Sequence, residues 1–383
     1  MIQRFYQNFG KYLKPNNVLV IYGPRQVGKT TLLKNFLSKT KFKYKLDSGE
    51  NIKTQQILSS QNFSQIFDYV SGYQLIAIDE AQHISNIGMG LKIIVDNIPN
   101  IRIIATGSSS FELSGQIGEP LTGRKTTLTL FPVALMEIAN IYNPYEIKEK
   151  ISELLVFGSY PKVLTAKSKN EKTIILEELA HSYLLKDILA FERIKSSKIL
   201  LDLLRLLAFQ IGNEVSLSEL SGKIGVDYKT VGRYLDILEK SFIIINIRGF
   251  SRNLRKEITR KSKYYFYDNG IRNAIISNFN NLDIRNDQGN LWENFLVVER
   301  LKTQSYFNII SNNYFWRTWD QKEIDWIEER EGKLFGYEFK FSERKKQKNK
   351  IFKEFLSTYP EAEVKIIHPD NYSDFLLPKS YKV

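Results

Sequence analysis

Gly23, Pro24, Arg25, Gln26, Val27, Gly28, Lys29 and Thr30 fit the spacing G-x-x-x-x-G-K-[ST]. The chemistry of that spacing is phosphate capture. Its glycines let the backbone bend until consecutive N–H groups face phosphate oxygens. A helix that starts directly behind them adds partial positive charge at the same point. Lys29 would reach the β- and γ-phosphates, the Thr30 hydroxyl would ligate Mg²⁺, and Thr31 extends the nucleotide-binding set. ATP and Mg²⁺ are the implied cofactors. An idle glycine turn is the competing reading, and the flanks speak against it. Val18–Tyr22 is an apolar run that reads as a buried parallel strand, and TLLKNFLSKT has helical apolar spacing.

Leu75–Glu80 (LIAIDE) reads as a core strand ending in two carboxylates. Asp79 would hold the Mg²⁺ shell, and Glu80 would polarise the attacking water as general base. The next core strand, IRIIA, runs into TGSSS. Thr106 and Ser108 stand where ligands bind in such sheets and could sense the γ-phosphate; turn formation is the other reading of such hydroxyls.

A second group of reactive residues lies near the C-terminus. A hairpin turning about Glu331-Gly332 sets Asp325 opposite Glu338, and Lys340 shares their face while Phe339 points away. Two carboxylates so placed can hold Mg²⁺, and a nearby lysine can orient or activate water for phosphodiester attack. Charges alternating on a solvent-facing strand are the plain alternative.

The stretches GPRQVGKTTLL, IDEAQ, ATGSSS, LTGR and FP followed by Glu137 resemble the AAA+-type ATPases of bacteria and archaea, in particular those paired with a C-terminal domain of unknown function. The resemblance covers nearly the whole chain. It implies a RecA-like α/β ATPase core and makes Arg124, in LTGR, a candidate arginine finger acting in cis or on a neighbouring subunit, hence a possible homo-oligomer. The Asp325, Glu338-x-Lys340 pattern is similar to restriction-endonuclease-like nucleases. That resemblance implies a further metal-ligating glutamate on a preceding helix, at Glu293.

The elements that must position these groups follow. The α/β class divides as a P-loop core at 1–135, a helical lid at 136–206 that includes GSYP at Gly158–Pro161, a winged helix at 207–262, and a restriction-endonuclease-like domain at 263–383. In the winged helix, Ser216 with Glu219 reads as a capping box, and Asp227 caps a second helix whose Val231, Leu235 and Leu238 face the core. Lys229, Arg233 and the following basic segment RGFSRNLRKEITRKSK suit DNA phosphates. A spacer role is the bland reading.

The net charge of +13 fits a nucleic-acid partner or, equally, a lysine-rich surface. The absence of cysteine excludes disulfides, thiolate metal sites and a cysteine nucleophile. Three histidines speak against a histidine-rich metal centre. No apolar run reaches the roughly 18 residues of a membrane helix, and MIQRFYQNFGKYLK lacks the apolar core of a signal peptide. A cytoplasmic protein without a membrane partner is the expectation. The expected function is Mg²⁺-dependent ATP hydrolysis serving DNA. The alternative is a nucleotide-dependent switch whose C-terminal half binds a protein or DNA without cutting.

Overall fold

The computed structural model describes residues 2–108, 120–184, 197–251, 262–318, 320–342 and 348–377. Most of the basic segment, residues 252–261, lies outside the described residues, as do Ser109 and Ser110 of TGSSS. The chain divides into two units. One runs through Pro132 and takes in Lys240–Phe242; the other holds Val133–Glu239 and the chain from Ile243 onward. Among the described residues, no helix is long and apolar enough to cross a membrane.

The first unit is built on strands β1 (Asn17–Tyr22), β2 (Tyr44–Ser48), β3 (Leu75–Asp79), β4 (Arg102–Gly107) and β5 (Lys125–Thr129). All are parallel, in the order β2-β3-β4-β1-β5. Helices α1 (Lys29–Leu37), α2 (Ile52–Ser59), α3 (Phe63–Val70) and α4 (Ile87–Asn97) connect them. The inner strands are near-continuous apolar runs because both faces are covered; Val18, Leu19, Val20 and Ile21 are completely buried. β4 lies between β3 and β1, so the C-terminal ends of all three open on one edge. That edge gathers the residues that follow each strand.

The second unit contains α5 (Leu135–Ala139), α6 (Pro144–Phe157), α7 (Pro161–Thr165), α8 (Lys169–Glu178), α9 (Ser197–Phe209), α10 (Leu217–Ile224), α11 (Tyr228–Lys240), α12 (Asn269–Ile275), α13 (Gln288–Tyr306), α14 (Lys348–Thr358) and α15 (Tyr372–Leu376). Its strands are β6 (Glu214–Val215), β7 (Ile244–Gly249), β8 (Ser262–Phe266), β9 (Asn312–Arg317), β10 (Glu323–Arg330), β11 (Lys333–Phe339) and β12 (Glu363–Ile367). They form one mixed sheet in the order β12-β11-β10-β9-β7-β8-β6. β7 pairs in parallel with β9, so the sheet runs unbroken from the α10–α11 helix pair to the C-terminal strands. The boundary read between residues 262 and 263 falls inside β8.

The segment read as a lid belongs, as far as it is described, to this second unit, where α6 packs on α12. The GSYP turn shows why. Asp268 accepts the Ser159 N–H through Oδ2 at 2.7 Å and caps α12 through Oδ1, from the N–H groups of Gly270 and Ile271. Lys302 donates to Glu299, to the Ser159 hydroxyl and to the Val133 carbonyl, which closes the same buried network.

Of the two helix caps expected in the α10–α11 module, one forms. Asp227 accepts from the N–H groups of Lys229 and Thr230 at 3.0 Å each. Ser216 makes no side-chain cap; its hydroxyl lies 2.7 Å from that of Ser218. The Glu219 carboxylate instead takes Lys223 and Gln210, so the expected capping box is not formed.

The β10–β11 hairpin turns through Glu331 at φ +50 and Gly332 at φ +75. Two consecutive positive φ values make the tight turn whose twist matches paired strands. Trp326 pairs with Tyr337, and that register carries Asp325 opposite Glu338. α13 is pinned to β10 by a buried bidentate pair: Arg300 Nε and Nη2 reach the two carboxylate oxygens of Glu328 at 2.6 and 2.8 Å. The Trp326 indole N–H donates to the same carboxylate at 2.9 Å.

Gly158 has φ +69 and ψ −160, a conformation nearly confined to glycine. A Cβ there would stand 1.9 Å from Asp268 Oδ1. Gly158→Ala is therefore expected to destabilise the chain by about 2 kcal/mol or more, measured by urea unfolding. A change within about 0.5 kcal/mol would mean that the turn yields freely.

Candidate functional site: a phosphate loop and two strand ends

β1 delivers the chain into the loop Gly23–Thr30 at the edge where β3 and β4 also end. Gly23 is required by a close approach, since a Cβ would lie 1.9 Å from the Leu130 carbonyl oxygen. Gln26 takes φ +59 and Gly28, which precedes α1, takes φ +98, so the loop reverses twice within a few residues. Thr31 lies exposed in the first turn of α1. Lys29 is almost wholly buried and donates to the carbonyls of Gly23 at 2.9 Å and Pro24 at 2.7 Å. Burial lowers its ammonium to about 8; the charges of Glu80 and Asp79 oppose that fall, and Arg25 adds to it.

Both oxygens of Asp79 are held. Oδ2 accepts the Thr30 hydroxyl at 2.8 Å and Oδ1 accepts the Thr106 hydroxyl. Thr106 Oγ1 also accepts the backbone N–H of Glu80 at 3.1 Å. Thr106 is fully buried, so of the two strand-end hydroxyls it positions Asp79 and Glu80. Glu80 itself adopts φ +52, uncommon for a residue with a side chain and often found where geometry is constrained by function.

Two residues of this site carry no signal that was read from the sequence. The buried Gln82 amide donates to Glu80 Oε2 and, at 3.0 Å, to the Ser108 hydroxyl. It ties the candidate base to the second strand-end hydroxyl, and its own Oε1 is buried without a hydrogen-bond partner. Its place two residues after Glu80, in IDEAQ, was the available clue. Arg4 donates to the Val27 carbonyl of the loop and to the Phe131 carbonyl at 2.6 Å. A lone arginine near a chain start gives no local pattern.

Arg124 stands elsewhere. It directly precedes β5, and its carbonyl accepts the N–H of Val18 at 2.9 Å, at the start of β1. Val18 is separated from the phosphate loop by the length of that strand, roughly 15 Å at 3.3 Å per residue. The Arg124 side chain pairs with Asp96 at 2.5 Å. This places Arg124 at the opposite end of β1 from its own loop.

The C-terminal residues converge, but not as an open metal site. Glu293 comes from α13, Asp325 from β10, and Glu338 and Lys340 from β11 and its end. Lys340 pairs with Glu338, and Asp325 Oδ2 accepts the Phe339 N–H at 2.7 Å. Lys263 on β8 enters the cluster, 3.2 Å from Glu293 and 4.0 Å from Asp325, and also paired with Glu323. Tyr265 donates to Glu293 at 2.7 Å. Burial raises Glu293 and Glu338 above the ordinary carboxylate range; Asp325 adds to both, while Lys263 opposes the rise at Glu293 and Lys340 that at Glu338. Among the described residues, no three acidic or histidine side chains are disposed to hold a metal ion. The expectation of three carboxylates facing one another without a cation is corrected by Lys263. The Lys263 ammonium takes part of the carboxylate charge that a divalent ion would meet.

Comparison with known families divides the chain in three. Residues 15–139 match the model described as an AAA domain. Residues 148–283 match a domain of unknown function, DUF8612, and residues 288–377 another, DUF4143. The chain carries an N-terminal AAA-type P-loop domain and a C-terminal DUF4143 domain. The DUF8612 match begins within α6 and takes in the rest of the expected lid, the α10–α11 pair and β8 together. An uncharacterized protein of Mycobacterium tuberculosis is 26% identical over 326 residues, 84% of this chain and 70% of its own length. One of Haemophilus influenzae is 25% identical over 352 residues, covering 85% and 82%. One of Methanocaldococcus jannaschii is 24% identical over 334 residues, covering 82% and 73%. A solved structure titled for katanin self-assembly aligns with 46% of this chain and 58% of its own at 15% identity, but its TM-score of 0.25 is too low to carry an argument. The AAA domain supports a nucleotide-binding P-loop function.

If the Gln82 bridge positions Glu80, Gln82→Leu should lower ATP turnover by about tenfold and leave nucleotide affinity within about twofold. Steady-state kinetics beside equilibrium nucleotide binding check this. An equal loss in both would make Gln82 a general support of the loop.

Proposed function

We propose that the AAA domain of this chain binds and hydrolyses ATP with Mg²⁺. The observation that carries the reading is the junction of Lys29, Thr30 and Asp79: a buried ammonium resting on loop carbonyls, beside a hydroxyl and a carboxylate 2.8 Å apart. Those oxygens suit a hard cation, so Thr30 and Asp79 would hold Mg²⁺, and the loop Gly23–Gly28 with Lys29 and Thr31 would hold the phosphates. Bound Mg²⁺–ATP supplies the phosphoryl group and part of the charge that stabilises its transfer. Lys29 neutralises phosphate charge. Glu80 orients and deprotonates the attacking water. Ser108, joined to Glu80 through Gln82, is the hydroxyl proposed to face the γ-phosphate.

Two variants separate binding from chemistry. Lys29→Ala should lose nucleotide binding, since the phosphates lose their point charge. Glu80→Gln keeps the shape and loses the base, so it should bind ATP at near wild-type affinity and turn it over at least about a hundredfold more slowly. Wild-type turnover by Glu80→Gln would remove Glu80 from the water-activating role.

For the second unit, a nucleic-acid partner is favoured by one specific observation. α9, β6, α10, α11, β7 and β8 follow one another as in a winged helix, and α11 turns Tyr228, Lys229 and Arg233 to solvent at its start. Two exposed cations one helical turn apart suit a nucleic-acid backbone. We therefore read this unit as a non-catalytic binding module, with hydrolysis in the AAA domain governing its engagement. Replacing Lys229 and Arg233 together by alanine in the full chain should weaken duplex binding by about tenfold and lower the salt slope by about two. Fluorescence anisotropy over a range of salt measures both. Binding that neither salt nor the double variant alters would favour a protein partner.

A further inference from the structure

The acid cluster of the second unit contains a cation of its own. We propose that Lys263 is the resident cation of this cluster, its ammonium standing among Glu293, Glu323 and Asp325 where a divalent ion would otherwise sit, so that the intact chain takes no divalent ion there.

Position supports the assignment first. The Lys263 side chain is 1% exposed, and its Nζ lies 5.4 Å from the centre of the Phe315 ring. Its charge is directed at three carboxylates that come from two other elements, α13 and β10. Burial alone would depress such an ammonium; Glu293, Asp325 and Glu323 reverse that and hold it above an ordinary lysine. It is charged across the physiological range.

Compensation supports it next. Glu323 is also met by Arg317 at 3.3 Å, Glu338 by Lys340, and Glu293 by the Tyr265 hydroxyl. Three cations thus face Glu293, Glu323, Asp325 and Glu338. A divalent ion entering here would have to displace a buried ammonium, or share its ligands with it. Two cations drawing on one set of carboxylates repel each other.

The alternation of β-strands explains how the set was built. Glu323 precedes Asp325 by two residues on β10, and Tyr265 follows Lys263 by two on β8, so each pair shares a face. β8 also carries the edge of the α10–α11 module, so Lys263 fastens that module to the C-terminal strands through charge as well as through the β7–β9 ladder.

Mn²⁺ titration of the nucleotide-free full chain by calorimetry tests the proposal. Wild type and Asp325→Asn are expected to give the same isotherm, because the cluster holds no divalent ion in either. Lys263→Met is expected to gain one Mn²⁺ equivalent, and adding Asp325→Asn should abolish it. A Mn²⁺ component in the wild type that Asp325→Asn removes would overturn the proposal. So would a folded Lys263→Met protein with the wild-type isotherm. The comparison of wild type with Asp325→Asn stands even if Lys263→Met does not fold.

Discussion

The placement of β4 between β3 and β1 is the constraint on which the first unit's chemistry rests. Three parallel strands in that order end on one edge, so a loop, a pair of carboxylates and a pair of hydroxyls from distant parts of the chain meet. In this order the Thr106 hydroxyl, from the neighbouring strand, and the Thr30 hydroxyl, from the helix behind β1, each take one oxygen of Asp79. The apolar runs that make these strands also make the order durable, because each fully buried aliphatic side chain contributes roughly 1.5–3 kcal/mol.

The second unit is organised differently, by charges that have been taken out of water. Arg300 with Glu328 and Lys302 with Glu299 are deeply buried pairs, and the buried Lys263 meets half-buried acids. Such pairs add little net stability, but removing one partner leaves an uncompensated buried charge. They specify alignment. The Arg300–Glu328 fork sets the rotation of α13 on β10, and the same rotation turns Glu293, two helical turns earlier, toward β8.

What was legible in the sequence was what neighbouring residues decide together. The glycine spacing of Gly23–Thr30, the apolar strands and the turn at Glu331-Gly332 each follow from contiguous sequence, and the turn alone fixes the Asp325–Glu338 register. What escaped depends on tertiary placement. Lys263 lies far along the chain from the acids it joins, Arg4 far from the carbonyls it binds, and Gln82 matters only because β4 brings Ser108 beside it. The capping box at Ser216 failed for a local reason: Gln210 and Lys223 claim Glu219 first. Arg124 was drawn from resemblance, and the parallel pairing of β5 with β1 puts it at the wrong end of the strand for its own loop.

The pairing of β7 with β9 has a bearing on how this architecture could be divided or inherited. A fragment cut at the apparent boundary before Lys263 would take most of β8 without β7, and would bare the backbone of β9 along the edge that β7 covers. Unpaired edges of that kind recruit other chains. A recombination or truncation that keeps this edge of β9 covered must therefore carry β7 along with the C-terminal strands.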